Sequence, residues 1–332
     1  MASSWPIVGH RWAVQQLQHA VEHGEVPQAL LITGPDSVGK RTLALTLVAA
    51  MLCRSDENRP CGECLACRKL DSGNHPDFMH VKLEDDSAHL RIDQIRQMER
   101  FLALTPKESE RKIALASDFE RATTSAANAL LKTLEEPPRY ANLILLATDA
   151  DLLLPTIVSR SQQINLRPLS SQEVAGALTS QWQVEEQEAQ RLARMSGGRI
   201  GWAVRAATHP EFYQKMMTAS ETLVSALGQD LPSRFETAET LAHASAELQE
   251  ILEYWMTFWR DILLIQMDNA EAVVHQELFQ TLSHIAKSVS AQVTVEVLNA
   301  LEQSLEGLMS NANTQLLTEN LLLNLPTVRT RK

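Results

Sequence analysis

The sequence predicts an α/β domain followed by an all-helical remainder, and three observations carry that prediction. Short apolar runs alternate with helical patterns up to about residue 167. From Pro210 onward no convincing strand pattern occurs. The 332 residues include only 12 glycines and 5% aromatics, with long Ala/Leu/Gln/Glu-rich stretches that favour helix. With 44% hydrophobic residues the chain has material for two or three packed domains.

Taken in order, Val8, Trp12, Val14, Leu17 and Val21 recur at helical spacing, and Gly24 supplies a stop. Ala29–Thr33 is a short apolar run that ends in a glycine-containing turn, and helical residues follow from Lys40 to Cys53. That is strand, loop, helix. A helix over 92–102 places Ile92, Ile95, Met98 and Leu102 on one face. Lys112–Ala116 and Asn142–Thr148 are buried-strand candidates, separated by a helix from about Thr123 to Glu136 that Pro137 and Pro138 terminate. Gln162–Leu166 is a last strand. After Pro168, Ser170-Ser-Gln-Glu173 matches a capping box, in which hydroxyl and carboxylate satisfy reciprocal free amides. The Ser196-Gly-Gly198 break then separates two amphipathic patterns, so 168–208 reads as a small helical domain. In the remainder, 209–332, Ile251, Trp255, Trp259, Ile262, Leu263 and Met267 continue one helical face, and the 294–308 and 314–325 segments behave alike. The Arg329-Thr-Arg-Lys332 tail reads as loose.

Composition limits function as well. A net charge of -11 disfavours autonomous DNA binding, which needs cations to neutralise phosphates. The residues Met1-Ala-Ser-Ser-Trp-Pro6 show neither the charged start nor the apolar run expected of a signal peptide, and no apolar run reaches the ~18 residues of a membrane span. A cytoplasmic location is expected.

Gly34-Pro-Asp-Ser-Val-Gly39-Lys40 fits the G-x-x-x-x-G-K core of a phosphate-binding loop, in which backbone amides and a helix N-terminus surround phosphate oxygens and the lysine reaches to them. The next position should offer magnesium a hydroxyl, and it is Arg41. Thr42 falls one residue later, about 100° around the helix. The Lys112–Ala116 strand should end in paired acids, yet it runs into Ser117-Asp118. Asp118 is either a turn cap or a retained aid to a metal.

All four cysteines, Cys53, Cys61, Cys64 and Cys67, lie within 15 residues, spaced C-x7-C-x2-C-x2-C. In a cytosolic chain disulfides are disfavoured, and four thiolates this close suit a tetrahedral structural Zn²⁺ site at 53–67. The metal would replace a hydrophobic core that the polar Ser55–Pro60 stretch is unable to build.

Asn128-Ala-Leu-Leu-Lys-Thr-Leu-Glu-Glu-Pro-Pro138, with Leu143–Thr148 behind it and Ser159-Arg160-Ser161 after that, resembles the AAA+ subunits of the bacterial DNA polymerase III clamp loader. The resemblance covers about residues 5–205. It implies a RecA-like AAA+ domain over 1–167 carrying the zinc insert, an all-α lid over 168–208, and an all-α collar over 209–332 that joins five subunits in an open ring. Within such a family Arg160 corresponds to the arginine finger offered in trans to a neighbour's ATP, where a planar, always-charged guanidinium stabilises the transferring phosphoryl group. Thr148 corresponds to a phosphate-sensing polar residue, or is a strand-end cap. Val8-Gly9-His10 matches the segment lining the adenine pocket, although packing alone can also require Gly9. Lys132, Glu135 and Glu136 lie on the signature helix, facing solvent or a ring neighbour.

Three departures separate this chain from the family's ATPase motors. Ser117 and Asp118 stand where motors carry Asp-Glu, Arg41 replaces the magnesium hydroxyl, and Gly201 occupies the lid position from which motors present an arginine, with Arg199 two residues early. The resemblance therefore implies a structural, non-motor subunit with weak or absent ATPase activity of its own. Its expected partners are gamma/tau-type motors and a clamp-opening delta subunit in a heteropentamer, with the sliding clamp and primed DNA reached through the assembly. ATP or ADP is the candidate nucleotide, held by Gly34, Gly39, Lys40, Thr42, Asp118 and Thr148, without a well-formed Mg²⁺ site. Two other readings are a gamma/tau-type motor using Asp118 with a displaced water-activating residue, and a helicase-type AAA+ protein moving DNA itself.

Overall fold

A computed structural model describes residues 5–56, 58–84, 87, 89–243, 245–309 and 312–328, with backbone alone at 245–247 and 309. The loose tail expected from Arg329 lies outside the described residues. The chain divides into two compact units, Met1–Val204 and Arg205–Lys332.

The first unit is built on five strands, β1 (Ala29–Thr33), β2 (Phe78–Val81), β3 (Lys112–Ala116), β4 (Ala141–Ala147) and β5 (Gln162–Asn165). They form one all-parallel sheet in the order β2-β3-β4-β1-β5. Parallel strands need crossovers on the faces, so the sheet is covered on both sides and its middle strands read as continuous apolar runs. On one face Leu30, Ile32, Ile113, Leu115, Ile144 and Leu146 pack with α1 (Arg11–Glu22) and α2 (Lys40–Leu52). On the other, Leu31, Ala114, Ala116, Leu143 and Leu145 pack with Ile95, Met98 and Leu102 of α4 (Ile92–Ala103) and Leu130 and Leu134 of α5 (Thr124–Glu135). The short α3 (Leu65–Asp71) follows the cysteine segment, and α6 (Pro155–Val158) precedes β5.

Most expected elements are present, with informative differences. The first helix starts at Arg11 rather than Val8, because Gly9 and His10 both take left-handed backbone angles. Trp12 is 51% exposed, and Ala13 and Leu17 make the buried face instead. Past β5, α7 (Ser171–Trp182) opens on the expected capping box: Glu173 N donates to Ser170 Oγ at 3.2 Å and Ser170 N to Glu173 Oε2 at 3.0 Å. Helices α8 (Glu186–Met195) and α9 (Ile200–Thr208) follow across the Gly197-Gly198 break.

One buried charge pair braces the sheet edge. Asp77, fully buried, accepts from the backbone amides of Lys107, Glu108 and Ser109 at 2.7, 2.7 and 3.0 Å and faces Lys112 Nζ at 3.4 Å. Burial alone would raise its pKa, but the three amides outweigh burial and hold the carboxyl down to about 2. The Lys112 ammonium lies 4.3 Å from the centre of the Phe101 ring, so this strand residue is buried without being left uncompensated.

The second unit is all-helical among its described residues: α10 (Pro210–Gly228), α11 (Leu231–His243), α12 (Ser245–Gln266), α13 (Phe279–Ser288), α14 (Ala291–Met309) and α15 (Thr314–Leu323), with two short 3-10 turns. The apolar face of α12 is as expected at Trp255, Trp259 and Ile262, all fully buried, whereas Met267 is 70% exposed just past the helix end. Two buried polar groups tie ends together. Arg234 donates to the carbonyls of Ala226, Leu322, Leu325 and Pro326, closing the C-termini of α10 and α15 with a cation where orphan carbonyls collect. Asp261 accepts from the amides of Val274 and His275 and from His275 Nδ1 at 2.7 Å, pinning the 267–278 connection onto α12.

Candidate functional site

Because β1, β3 and β4 run parallel, their carboxyl ends bring the phosphate loop, Ser117-Asp118 and Thr148 to one edge. Ligands of open parallel sheets bind at this edge. Gly34 N donates to Thr148 O at 3.1 Å, and a Cβ on Gly34 would stand 2.3 Å from Leu166 O, so the tight start of the loop admits glycine alone. Lys40, first residue of α2, turns back on its own loop. Its Nζ donates to Gly34 O at 2.5 Å, Pro35 O at 3.0 Å and Asp36 Oδ1 at 3.3 Å. An ammonium has three donors, so all are engaged internally and a phosphate must displace them.

The magnesium side of the edge is filled by a cation from the chain itself. The Arg41 guanidinium stands 4.0 Å from Asp118 Oδ2, both on the surface. Asp118 has a left-handed backbone and its side chain caps nothing, which removes the turn-cap reading. Ser117 is held by His80 Nε2 at 2.8 Å, and burial, then Arg41 and Lys82, keep that imidazole below its ordinary pKa. A Mg²⁺ ion here would meet a guanidinium instead of a hydroxyl, so the donor set does not fit it. Thr42 lines a cleft together with Arg41, Pro6, Leu45, Pro60, Gly62 and Leu70.

Glu120 is a member of this edge that sequence reasoning missed. It sits on the 3-10 turn Phe119–Arg121, and its carboxyl is pushed up by burial and by Asp118 and Asp36, against a hydrogen bond with the Thr148 side chain. Two residues past the expected acid pair, it was invisible to a strand-end pattern. Thr148 is thereby engaged with the edge through both its side chain and its carbonyl.

The helical segment after β5 meets the loop at Gly201. Its N–H donates to Ser37 O at 2.7 Å, and a Cβ there would stand 3.0 Å from the same oxygen. The absence of a side chain at this position therefore lets α9 sit directly on the phosphate loop. His10 fastens the N-terminal side, with Nε2 3.1 Å from Val38 O and burial lowering its pKa.

Arg160 lies on the turn after α6. Its Nη2 is 2.9 Å from Glu135 Oε1 and its Nη1 donates to Thr156 O at 3.0 Å, while the side chain stays 36% exposed. Glu135 thus faces an internal partner, and the guanidinium is oriented with a face still open.

The four cysteines are free and converge, every Sγ within 4.8 Å of the others. Tetrahedral Zn–S bonds of ~2.3 Å require sulfurs about 3.8 Å apart, and Cys61 Sγ to Cys67 Sγ is 4.0 Å. Backbone amides aim at the sulfurs: Cys61 N and Ser55 N at Cys53, Cys64 N at Cys61, and Cys67 N at Cys64, at 3.4–3.5 Å. Burial opposes ionisation of Cys64, yet amides of Arg54 and Cys67 outweigh it and hold the thiol down to about 6, while burial pushes Cys67 up to about 12. The cluster can hold a metal ion such as zinc.

Comparison with known proteins gives a consistent picture. A family model described as DNA polymerase III, delta subunit, matches residues 9–170, and one described as the C-terminal part of that delta subunit matches 211–327. The chain is 31% identical to DNA polymerase III subunit delta' of Bacillus subtilis, covering 98% of this chain and 99% of that protein. It is 27% identical to subunit delta' of Escherichia coli over 94% and 92% of the two chains. Against Bacillus subtilis subunit tau it is 25% identical over 90% of this chain, and spans 57% of tau.

Proposed function

The chain belongs to the delta-prime family of DNA polymerase III subunits, and from that premise we propose that it serves the clamp loader as a donor of catalysis to a neighbouring ATPase while its own nucleotide site stays silent. As a delta-prime-type clamp-loader subunit it works within DNA replication. The observation that carries the donor role is Arg160, oriented by Glu135 and Thr156 yet open on one side, against a phosphate loop whose lysine, lid contact and magnesium position are all engaged by the chain itself.

In this reading residues 1–167 form the RecA-like AAA+ domain, 168–208 the lid and 209–332 the collar that joins a pentamer with gamma/tau motors and a delta subunit. Arg160 reaches the ATP of an adjacent motor, where its fixed charge offsets charge gathered on the transferring phosphoryl group. Sliding clamp and primed DNA are engaged by the ring as a whole, in the cytoplasm. Gly34, Gly39 and Lys40 keep the outline of a nucleotide loop, and Arg41 with Asp118 replaces metal by an internal ion pair. Cys53, Cys61, Cys64 and Cys67 hold a structural Zn²⁺, which supplies a closed tetrahedral anchor.

ATP turnover by the reconstituted assembly, with clamp and primed DNA, tests this with Arg160→Ala and Lys40→Ala placed in this subunit alone. The expected result is loss of turnover at one neighbouring site with Arg160→Ala and little change with Lys40→Ala; the reverse pattern overturns the donor role. A motor reading draws on one observation, the buried Glu120 carboxyl beside Thr148, which stands where a displaced water-activating acid would. Magnesium-dependent turnover by the isolated chain, lost in Lys40→Ala, would favour it.

A further inference from the structure

The last turn of α1 carries a second group of metal donors, unrelated to the cysteines. His19, Glu22 and His23 are all exposed, and one ligand atom from each lies within 4.8 Å of the other two. The cause is local: residues i, i+3 and i+4 share a helix face, and a His pair at i, i+4 is a spacing that chelates a divalent ion. The two imidazole centroids are 4.0 Å apart, with Glu22 on the same face.

A second observation concerns protonation rather than position. His23 Nδ1 lies 2.8 Å from His19 O. A carbonyl accepts only, so Nδ1 carries the hydrogen and, in the neutral ring, the lone pair belongs to Nε2. Metal-bound histidines are commonly oriented in this way, by donating their other ring N–H to a backbone carbonyl. The site also sits at the C-terminal end of α1, where the partial negative charge of the helix favours a cation.

We infer that His19, Glu22 and His23 form a second, exchangeable site for a borderline divalent cation, Zn²⁺, Ni²⁺ or Cu²⁺, bound by two imidazoles and one carboxylate with water in the remaining positions. Imidazole and carboxylate donors select such ions, whereas the four thiols select a closed tetrahedral zinc. On an exposed helix face the ion has no walls to shape a substrate, so the site binds and exchanges metal and cross-links one helical turn.

The test uses the full chain carrying one zinc on its cysteines, titrated with Ni²⁺ against a chromophoric chelator. One Ni²⁺ per chain is expected, with the zinc retained. The paired variant His19→Gln/His23→Gln should lose the nickel and keep the zinc. Glu22→Gln should weaken nickel at least about tenfold, the lower end of what even outer-shell partners contribute. The three side chains are exposed, so the variants keep the fold, and their unchanged far-ultraviolet circular dichroism checks it. Failure of the wild type to take up Ni²⁺, or equal uptake by the paired variant, overturns the inference.

Discussion

Glu135 and Arg160 show how one side chain decides what another can do. A lone surface arginine samples many rotamers, and a surface ion pair contributes little stability, so the pair matters for orientation rather than for folding. Here Glu135 Oε1 and Thr156 O take different nitrogens of the guanidinium, at 2.9 and 3.0 Å. Asp77 shows the opposite regime, a charge that matters for stability. Its folded pKa of about 2 lies below the ordinary carboxylate value, so its contribution is complete above about pH 4 and is lost as pH falls toward 2. That shift corresponds to about 2 kcal/mol. At neutral pH Asp77→Asn removes the negative partner and leaves Lys112 buried with its charge unpaired, for a cost of about 3 kcal/mol or more. Urea unfolding of wild type and Asp77→Asn should therefore differ most at pH 7 and converge as pH drops from 4 to 2. Both proteins carry the same cysteines, so acid loss of any metal held there affects the two alike. Equal stability at pH 7 would show that the amides, and not the charge, brace this edge.

At the scale of elements, the cysteine segment is the part of the first unit that owes least to the sheet. Its ties to the rest of the unit include Lys69 Nζ on Glu108 at 2.5 and 2.7 Å with Arg54 on the Glu108 carbonyl, and Trp5 Nε1 donating to Arg59 O at 3.0 Å. Within the loop Arg59 Nε donates to Ser55 O, and backbone amides aim at the sulfurs. Stripping metal with a chelator under reducing conditions should expose Arg54, Arg59 and Arg68 to trypsin while leaving most of the helical circular dichroism signal intact. Collapse of the whole signal would mean that the metal supports the sheet as well. This segment was legible from spacing alone, because four thiols in 15 residues admit few other uses. The middle strands β1, β3 and β4 were legible too, since burial on both faces writes an unbroken apolar run. Strand β2 was not, because Phe78–Val81 is a four-residue edge strand containing a histidine. Trp12 misled because periodicity locates a face without saying how wide the buried part of it is. At the site, the phosphate loop, Asp118 and Arg160 were readable as positions in motifs. The grip of Glu135, the burial of Glu120 and the Gly201–Ser37 contact depend on how the turns fold back, which no short pattern records.

For the molecule as a whole, charge and site chemistry lead to one expectation about DNA. The chain has 30 basic against 41 acidic side chains, a net charge of -11, so bringing it to a polyanion adds repulsion that only a local basic surface can offset. Several of its arginines are already committed: Arg41 near Asp118, Arg160 on Glu135, Arg205 on Glu250 and Arg234 among carbonyls. A protein that moved DNA alone would need free cations in a row and a working nucleotide site to drive the motion. The isolated chain should therefore fail to retain primed DNA in a filter or mobility assay at physiological salt, and should gain nothing from added ATP. Binding that weakened steeply with salt would reveal a basic track and favour a DNA-moving AAA+ protein over a clamp-loader subunit. A null result that persists when the chain is assembled with motor and delta subunits would instead question the proposed assembly, in which DNA is engaged by the subunits together rather than by this one.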